Sequence, residues 1–351
     1  MKFSYAIGNP PYQEQVGSGS KPIWPAFVLE STKIADKSCM IHPGRWLQSE
    51  EGLYKKIHDD LINAKLSIFD YFPKSEDIFP NVAIDNGVSI TLFDMNKSND
   101  DVMYKINNVA KGKYVSTAKF FSSPLLEECY NKVFSNINVE NNMSNYVIDV
   151  ISSGHAERFI KNKDIDTYIL TSPEGLDDYC KIWASKTFGK GGAKYDWYYI
   201  DKSNIVNLDI KPFMCKKLMI SATGHSIAHG KGNGFNNIPQ IIDEKSIGFS
   251  AWFLKSYKLS SEINKINEDH NLILLKSLFM TKTARFLMSI TQSGLFVCGF
   301  ENIPDYLELA KLLPENELFT DEWFYKTFDF SEGLINEIET KVSPKVEKSS
   351  K

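Results

Sequence analysis

A chain of 351 residues with 42% hydrophobic content can bury a substantial core, and its length predicts two domains rather than one. No run of about 18 apolar residues is present, and the opening Met1-Lys2-Phe3-Ser4-Tyr5 lacks the features of a secretory signal, so the sequence reads as cytoplasmic, with no membrane contact. The five cysteines (Cys39, Cys129, Cys180, Cys215, Cys298) form no CxxC pair, which argues against a disulfide framework or thiolate zinc site, and a net charge of -4 neither marks nor excludes a nucleic-acid surface.

In chain order, residues 3–7 form a short apolar strand, 24–35 carry helical spacing, and 38–42 form a second buried strand. Residues 52–64 make an amphipathic helix with Leu53, Ile57, Leu61 and Ile62 on one side. Residues 66–71 and 88–94 are two more strands with no helix between them, so one of them runs antiparallel. The alternation predicts an α/β fold with a largely parallel sheet and right-handed crossovers. Four strands fall short of the roughly six of a doubly wound domain, so the expected sheet is a partial Rossmann-like one.

Residues 95–113 turn polar and rich in Asn and Lys, which predicts a boundary or a hairpin leading out of the first domain. The remainder mixes helices and short strands in an α+β pattern. Its clearest element is a helix over 271–290, with Leu275, Phe279, Phe286 and Ile290 in one stripe. The expected organisation is a first domain over 1–97, a second over 98–342 and a disordered Lys/Ser tail over 343–351.

Asn9-Pro10-Pro11-Tyr12 follows the first strand directly, with Gly8 permitting a tight turn. Ligands of open α/β sheets bind at this carboxyl end of the strands. The pattern suits chemistry on the exocyclic amine of adenine, whose lone pair is delocalised into the ring. A site accepting both amine hydrogens, through the Asn9 side chain and the Pro10 carbonyl, localises that lone pair. Two prolines keep the backbone rigid, and Pro11 brings no competing donor. Tyr12 can stack on a base extruded from the duplex. The plain alternative is that the tetrapeptide is a rigid turn.

Three spaced segments carry a wider resemblance. They are Ala6-Ile7-Gly8-Asn9-Pro10-Pro11-Tyr12-Gln13, then Ile41-His42-Pro43-Gly44-Arg45-Trp46-Leu47, then Ile78-Phe79-Pro80-Asn81-Val82 with Asn86-Gly87-Val88. In this order they resemble the gamma-class adenine-N6 DNA methyltransferase region of type IIG restriction-modification enzymes. The stretch from Lys282 to Gln292, with Asp321-Glu322-Trp323-Phe324-Tyr325-Lys326, is similar to the closing helices of that family's target-recognition domain. The resemblance implies a partial methyltransferase sheet followed by a target-recognition domain, S-adenosylmethionine as methyl donor and double-stranded DNA as substrate. It makes Asn9, Pro10, Pro11 and Tyr12 the catalytic group, and gives Phe79 the second face of the flipped base, with a core plug as the alternative.

The chain departs from the family in one respect. The cofactor's glycine motif precedes this tetrapeptide in gamma-class enzymes, and only eight residues precede Asn9. Permuted classes place it after the recognition domain, where this sequence has only Gly333 beyond Tyr325. The expectation is therefore a methyltransferase component whose cofactor-binding half comes from a partner polypeptide or a homo-oligomer, pairing with an open sheet edge. A non-catalytic DNA-recognition subunit is the alternative.

Only three residues are arginines, which singles out Arg45. Arg45 and Trp46 could anchor the DNA backbone or shape the catalytic loop, with an ordinary salt bridge as the alternative for Arg45, and Lys282 and Arg285 are further candidate DNA contacts. The glycine-rich segments around Lys190 and Lys231 fit loops that approach phosphates better than cofactor loops, because neither follows a clear strand and opens a helix. His225 and His229 have i, i+4 spacing, but Ser226 stands where a zinc protease carries its glutamate, so no metal is expected.

Overall fold

The computed structural model describes residues 2–16, 19–48, 52–82, 84, 86–135, 137, 141–151, 160–161, 175–185, 195–207, 210–222, 224, 227, 232–244, 246–248, 251–257, 267–291 and 299–345. Two compact units emerge: one is Met1–Glu127 with Ser226–Gly230 and Ser289–Gly294, and the other holds Glu128–His225, Lys231–Met288 and Leu295–Lys351.

The first unit runs β1 (Phe3–Gly8), a small hairpin of β2 (Gln13–Val16) and β3 (Gly19–Pro22), α1 (Trp24–Ile34), β4 (Ala35–Pro43), α2 (Gly52–Asn63), β5 (Leu66–Phe72), β6 (Val88–Asp94), β7 (Val102–Ile106) and β8 (Val109–Tyr114). Its six-stranded sheet has the order β1-β4-β6-β5-β7-β8. β1 pairs parallel with β4, and β6 inserts antiparallel between β4 and β5. The missing helix before β6 forces that reversal.

The expected boundary at residue 97 is not where the sheet ends. β7 pairs parallel with β5, and β8 returns antiparallel to it, so the polar segment is a hairpin of the same sheet. Val102, Ile106 and Tyr114 are buried in the core while the lysines of β8 face outward, which gives the segment its polar composition.

A polar column crosses this core. The His42 ring stacks on Trp24 at 4.1 Å, and its Nε2 lies 3.0 Å from Thr91 Oγ1. The Trp46 indole donates to Ser89 Oγ at 2.9 Å, and Ser89 reaches His42 Nδ1 at 3.2 Å. Complete burial lowers the His42 pKa from 6.5 to about 3, partly opposed by the Pro43 carbonyl. The unfolded chain therefore takes up a proton below pH 6.5 that the folded chain refuses until about pH 3. Stability from this residue is complete above pH 6.5 and is lost as pH falls. The expected slope is on the order of 1.4 kcal/mol per pH unit through that window. His58 adds in the same direction, since its pKa is also lowered by burial. Urea unfolding at pH 6.5 and 4.5 checks this: His42→Asn should flatten the slope, and an unchanged slope would contradict the assignment.

In the second unit, β10 (Tyr179–Ser185), β11 (Tyr195–Asp201) and β14 (Ser246–Gly248) form one sheet. β9 (Val147–Ile151), β12 (Lys217–Ser221), β13 (Gln240–Ile242) and β15 (Ala251–Leu254) form a second, antiparallel one. α3 (Pro124–Phe134) starts in the first unit and ends in this one, followed by α4 (Glu268–Met280), α5 (Lys282–Met288), α6 (Tyr306–Ala310), α7 (Asp321–Thr327) and α8 (Glu332–Lys341). The single helix expected over 271–290 is two. Thr281 is extended, its hydroxyl bonds back to the Leu278 carbonyl, and it accepts the Ala284 amide that opens α5. Asp321 accepts the Lys282 and Thr283 amides as well, so the break is capped from both sides.

Residues 343–345, expected to belong to a disordered tail, are held in place, and 346–351 lie outside the described residues. Gly232 bridges to Val342, the Ser343 amide donates to the Gly232 carbonyl at 2.7 Å, and Lys345 donates to the Phe235 carbonyl.

Candidate active site

β1 carries Asn9-Pro10-Pro11-Tyr12 out of its carboxyl end, and Asn9 and Pro11 are exposed. Tyr12 is half-buried, packs on the core, and accepts the Ile23 amide on its carbonyl at 3.2 Å. Burial raises its phenol pKa, and the hydroxyl is buried without a hydrogen-bond partner. The ring is thus held by packing rather than by its hydroxyl.

Two loops stand at the same end of the sheet, because β4 and β5 both run parallel to β1. One is the turn after β4, which holds Arg45 and Trp46; the other joins β5 to β6 and holds Phe79. They are locked together: the Gly44 amide donates to the Gly87 carbonyl at 3.0 Å, and the Tyr71 hydroxyl donates to the Asn86 carbonyl at 3.1 Å. Gly44 has no room for a side chain, since a Cβ would lie 2.5 Å from the Tyr71 ring. Gly87 is left-handed at φ 65° against the Phe72 carbonyl.

Phe79 is half-buried on a loop pinned by Ser75, whose hydroxyl donates to the Val82 carbonyl and accepts the Ile84 amide, both at 2.7 Å. Sequence reasoning missed Ser75; the nearest signal was a small polar residue three positions before the Ile78-Phe79-Pro80 segment.

The proposed DNA contacts divide. Arg45 is exposed, with its guanidinium 4.4 Å over the Tyr54 ring, so its outer edge is available to a phosphate. Trp46 is not a surface residue. It is 0% exposed and packs edge-on against Phe69 at 5.3 Å, so its role is core packing. Arg285 is also 0% exposed and bonds the carbonyls of Thr281, Asn233, Ser343 and Met280. Burial pulls its pKa down to about 10, and it pins the 232–235 loop instead of reaching DNA. Lys282 is half-buried and ion-paired to Glu339. Lys190, Lys231, His225 and His229 lie outside the described residues. Among the described residues there is no metal-ligand cluster and no helix long and apolar enough to cross a membrane.

Among the described residues, none forms a glycine-loop cradle for S-adenosylmethionine beside the tetrapeptide. β1, which ends at the tetrapeptide, is the outermost strand of the sheet, and no described strand beside it opens a glycine loop into a helix. Gly44, the glycine that directly follows β4, is filled by Tyr71 and so leaves no cradle.

Comparison with known proteins places residues 1–79 in a match to the Eco57I restriction-modification methylase family. An uncharacterised adenine-specific methylase of Mycoplasma pneumoniae is 36% identical over 103 residues, covering 27% of this chain and 24% of that protein. The solved type IIL restriction-modification enzyme MmeI, in complex with DNA, aligns over 97% of this chain and 55% of its own, with 9% identity and a TM-score of 0.44. The type IIG restriction endonuclease BpuSI aligns over 97% of this chain and 54% of its own, with 11% identity and a TM-score of 0.35. The chain thus matches about a quarter of the methylase's length and about half of each of these two structures.

Proposed function

We propose that this chain is the DNA-facing component of a site-specific adenine-N6 DNA methyltransferase of a restriction-modification system, completed by a partner polypeptide or a second copy. The observation that carries the reading is Asn9-Pro10-Pro11-Tyr12, with Asn9 and Pro11 exposed, at the carboxyl end of an edge strand whose outer face is bare. Phe3, Tyr5 and Ile7 share that face and are 58%, 66% and 81% exposed. The opposite edge, β8, is protected in the usual way by exposed Lys111 and Lys113. Only the unprotected edge adjoins the tetrapeptide.

In this reading the partner brings S-adenosylmethionine, which supplies an electrophilic methyl group. This chain's own residues handle the acceptor. Asn9 Oδ1 and the Pro10 carbonyl accept the two amine hydrogens, drawing the nitrogen toward tetrahedral geometry and freeing its lone pair. Tyr12 and Phe79 sandwich the extruded base, offsetting a flipping cost of a few kcal/mol. Arg45 holds the backbone at the same end of the sheet. The second unit acts as the target-recognition domain.

Asn9→Ala in the completed assembly should slow methyl transfer to duplex DNA by about 100- to 1,000-fold, the usual effect of removing one placed polar group. DNA affinity should stay within about twofold, since the base is only one contact among many to the duplex. An unchanged rate would overturn the reading. A chain that binds duplex DNA yet supports no methylation in any pairing would instead be a recognition subunit.

A further inference from the structure

The first unit also holds a cavity. Its volume is about 590 Å³, and it is lined by α2 and the segment after β8. Leu47 and Gln48 bring the end of the turn after β4 to its wall, while His58 and Tyr114 come from α2 and the end of β8, the sheet edge opposite β1. The cavity wall holds titratable groups for which the methyl-transfer reading has no use.

His58 Nδ1 lies 2.9 Å from Asp59 Oδ1, and its Nε2 lies 3.0 Å from the Tyr114 hydroxyl. Burial keeps the imidazole neutral, with one hydrogen to give. A carboxylate only accepts, so that hydrogen sits on Nδ1, and Nε2 accepts from Tyr114. The Tyr114 proton is thereby committed to the histidine, which leaves the phenol oxygen as an acceptor.

Gln48 repeats this logic. The Tyr71 proton goes to the Asn86 carbonyl, so the Gln48 amide nitrogen must be the donor to Tyr71, at 2.9 Å. Its Oε1 is then fixed, buried and without a donor, in a residue that lines the cavity. An unmet buried acceptor costs about 1–3 kcal/mol, which a ligand's N–H would recover. Lys55, itself paired with Asp59, and Lys119 bring positive charge to the same wall. The cavity therefore offers acceptors for amine hydrogens and, with Asp59 offsetting Lys55, a net positive wall for negative charge.

We propose that this cavity binds a nucleoside monophosphate whose base carries an exocyclic amine, the amine donating to Gln48 and Tyr114 and the phosphate meeting Lys55 and Lys119. The same chemistry is offered by a free nucleotide and by one residue of a DNA strand. The inference does not rest on the methyl-transfer reading, and its probes need no partner or methyl donor.

The test is calorimetric titration of the full chain with AMP, CMP and GMP, with purine riboside 5′-monophosphate as the amine-free control, and with a four-residue deoxyadenylate. At least one amine-bearing nucleotide should bind saturably. If that nucleotide is AMP, the control should be about tenfold weaker, the loss of one good hydrogen bond. Tyr114→Phe and the surface variant Lys119→Ala should each weaken binding several-fold. Displacement of the nucleotide by the oligonucleotide identifies a DNA strand as the source, and failure to displace identifies a free nucleotide. Binding of neither nucleotide nor oligonucleotide, equal affinity for AMP and its amine-free control, or unchanged affinity in both variants would overturn the proposal.

Discussion

Lysine at Ile7 is expected to leave the chain folded but unable to join its partner. Ile7 is 81% exposed on the outermost strand, so the substitution disturbs no packed neighbour, and stability should change by less than about 0.5 kcal/mol. An added strand must instead cover Phe3, Tyr5 and Ile7 with apolar side chains, and a buried unpaired ammonium there is costly. We expect association to weaken by at least about 100-fold, since losing one burial and stranding one charge together exceed about 3 kcal/mol. Light scattering and co-purification check this. A wild-type chain that stays monomeric at high concentration and joins no second polypeptide would count against the missing half.

Replacing Trp46 should instead unfold the chain. The ring is fully buried among Phe69, His42 and His58, and its indole nitrogen satisfies Ser89. Trp46→Ala is expected to cost about 3–5 kcal/mol, through the cavity and the lost bond. Arg45→Ala, one residue away, should shift stability by less than about 0.5 kcal/mol and weaken duplex binding in a salt-dependent way. Urea unfolding and DNA titration separate the two residues. Equal stability of both variants would contradict the placement of Trp46.

Apart from the polar β2–β3 hairpin, the strands and helices of the first hundred residues were legible from their apolar spacing, and the absence of a helix before Val88 announced the antiparallel strand. The segment over 95–113 was legible as a boundary or a hairpin, but its place in the sheet was not, because one face of β7 and β8 is polar. A turn signal was nevertheless present: Asn107 and Asn108 both take positive φ, at 51° and 64°, the geometry of a two-residue hairpin. Trp46 and Arg285 were misplaced for a different reason. Arginine's rarity drew attention to the arginines and Trp46 was read with its neighbour Arg45, while burial is decided by contacts distant in sequence, as with the Ser343 and Asn233 carbonyls on Arg285. The tetrapeptide was readable because its chemistry is contained in adjacent residues. The His58–Tyr114 pair was not, because its two members stand 56 residues apart.

Mapping N6-methyladenine across the source cell's genome, before and after its own gene is changed to encode Asn9→Ala, probes the amine-gripping role of the strand-end turn with no need to know the partner in advance. The account predicts that the modified base vanishes from one short sequence context and persists in the others. Full modification of every context in the altered cell would contradict it.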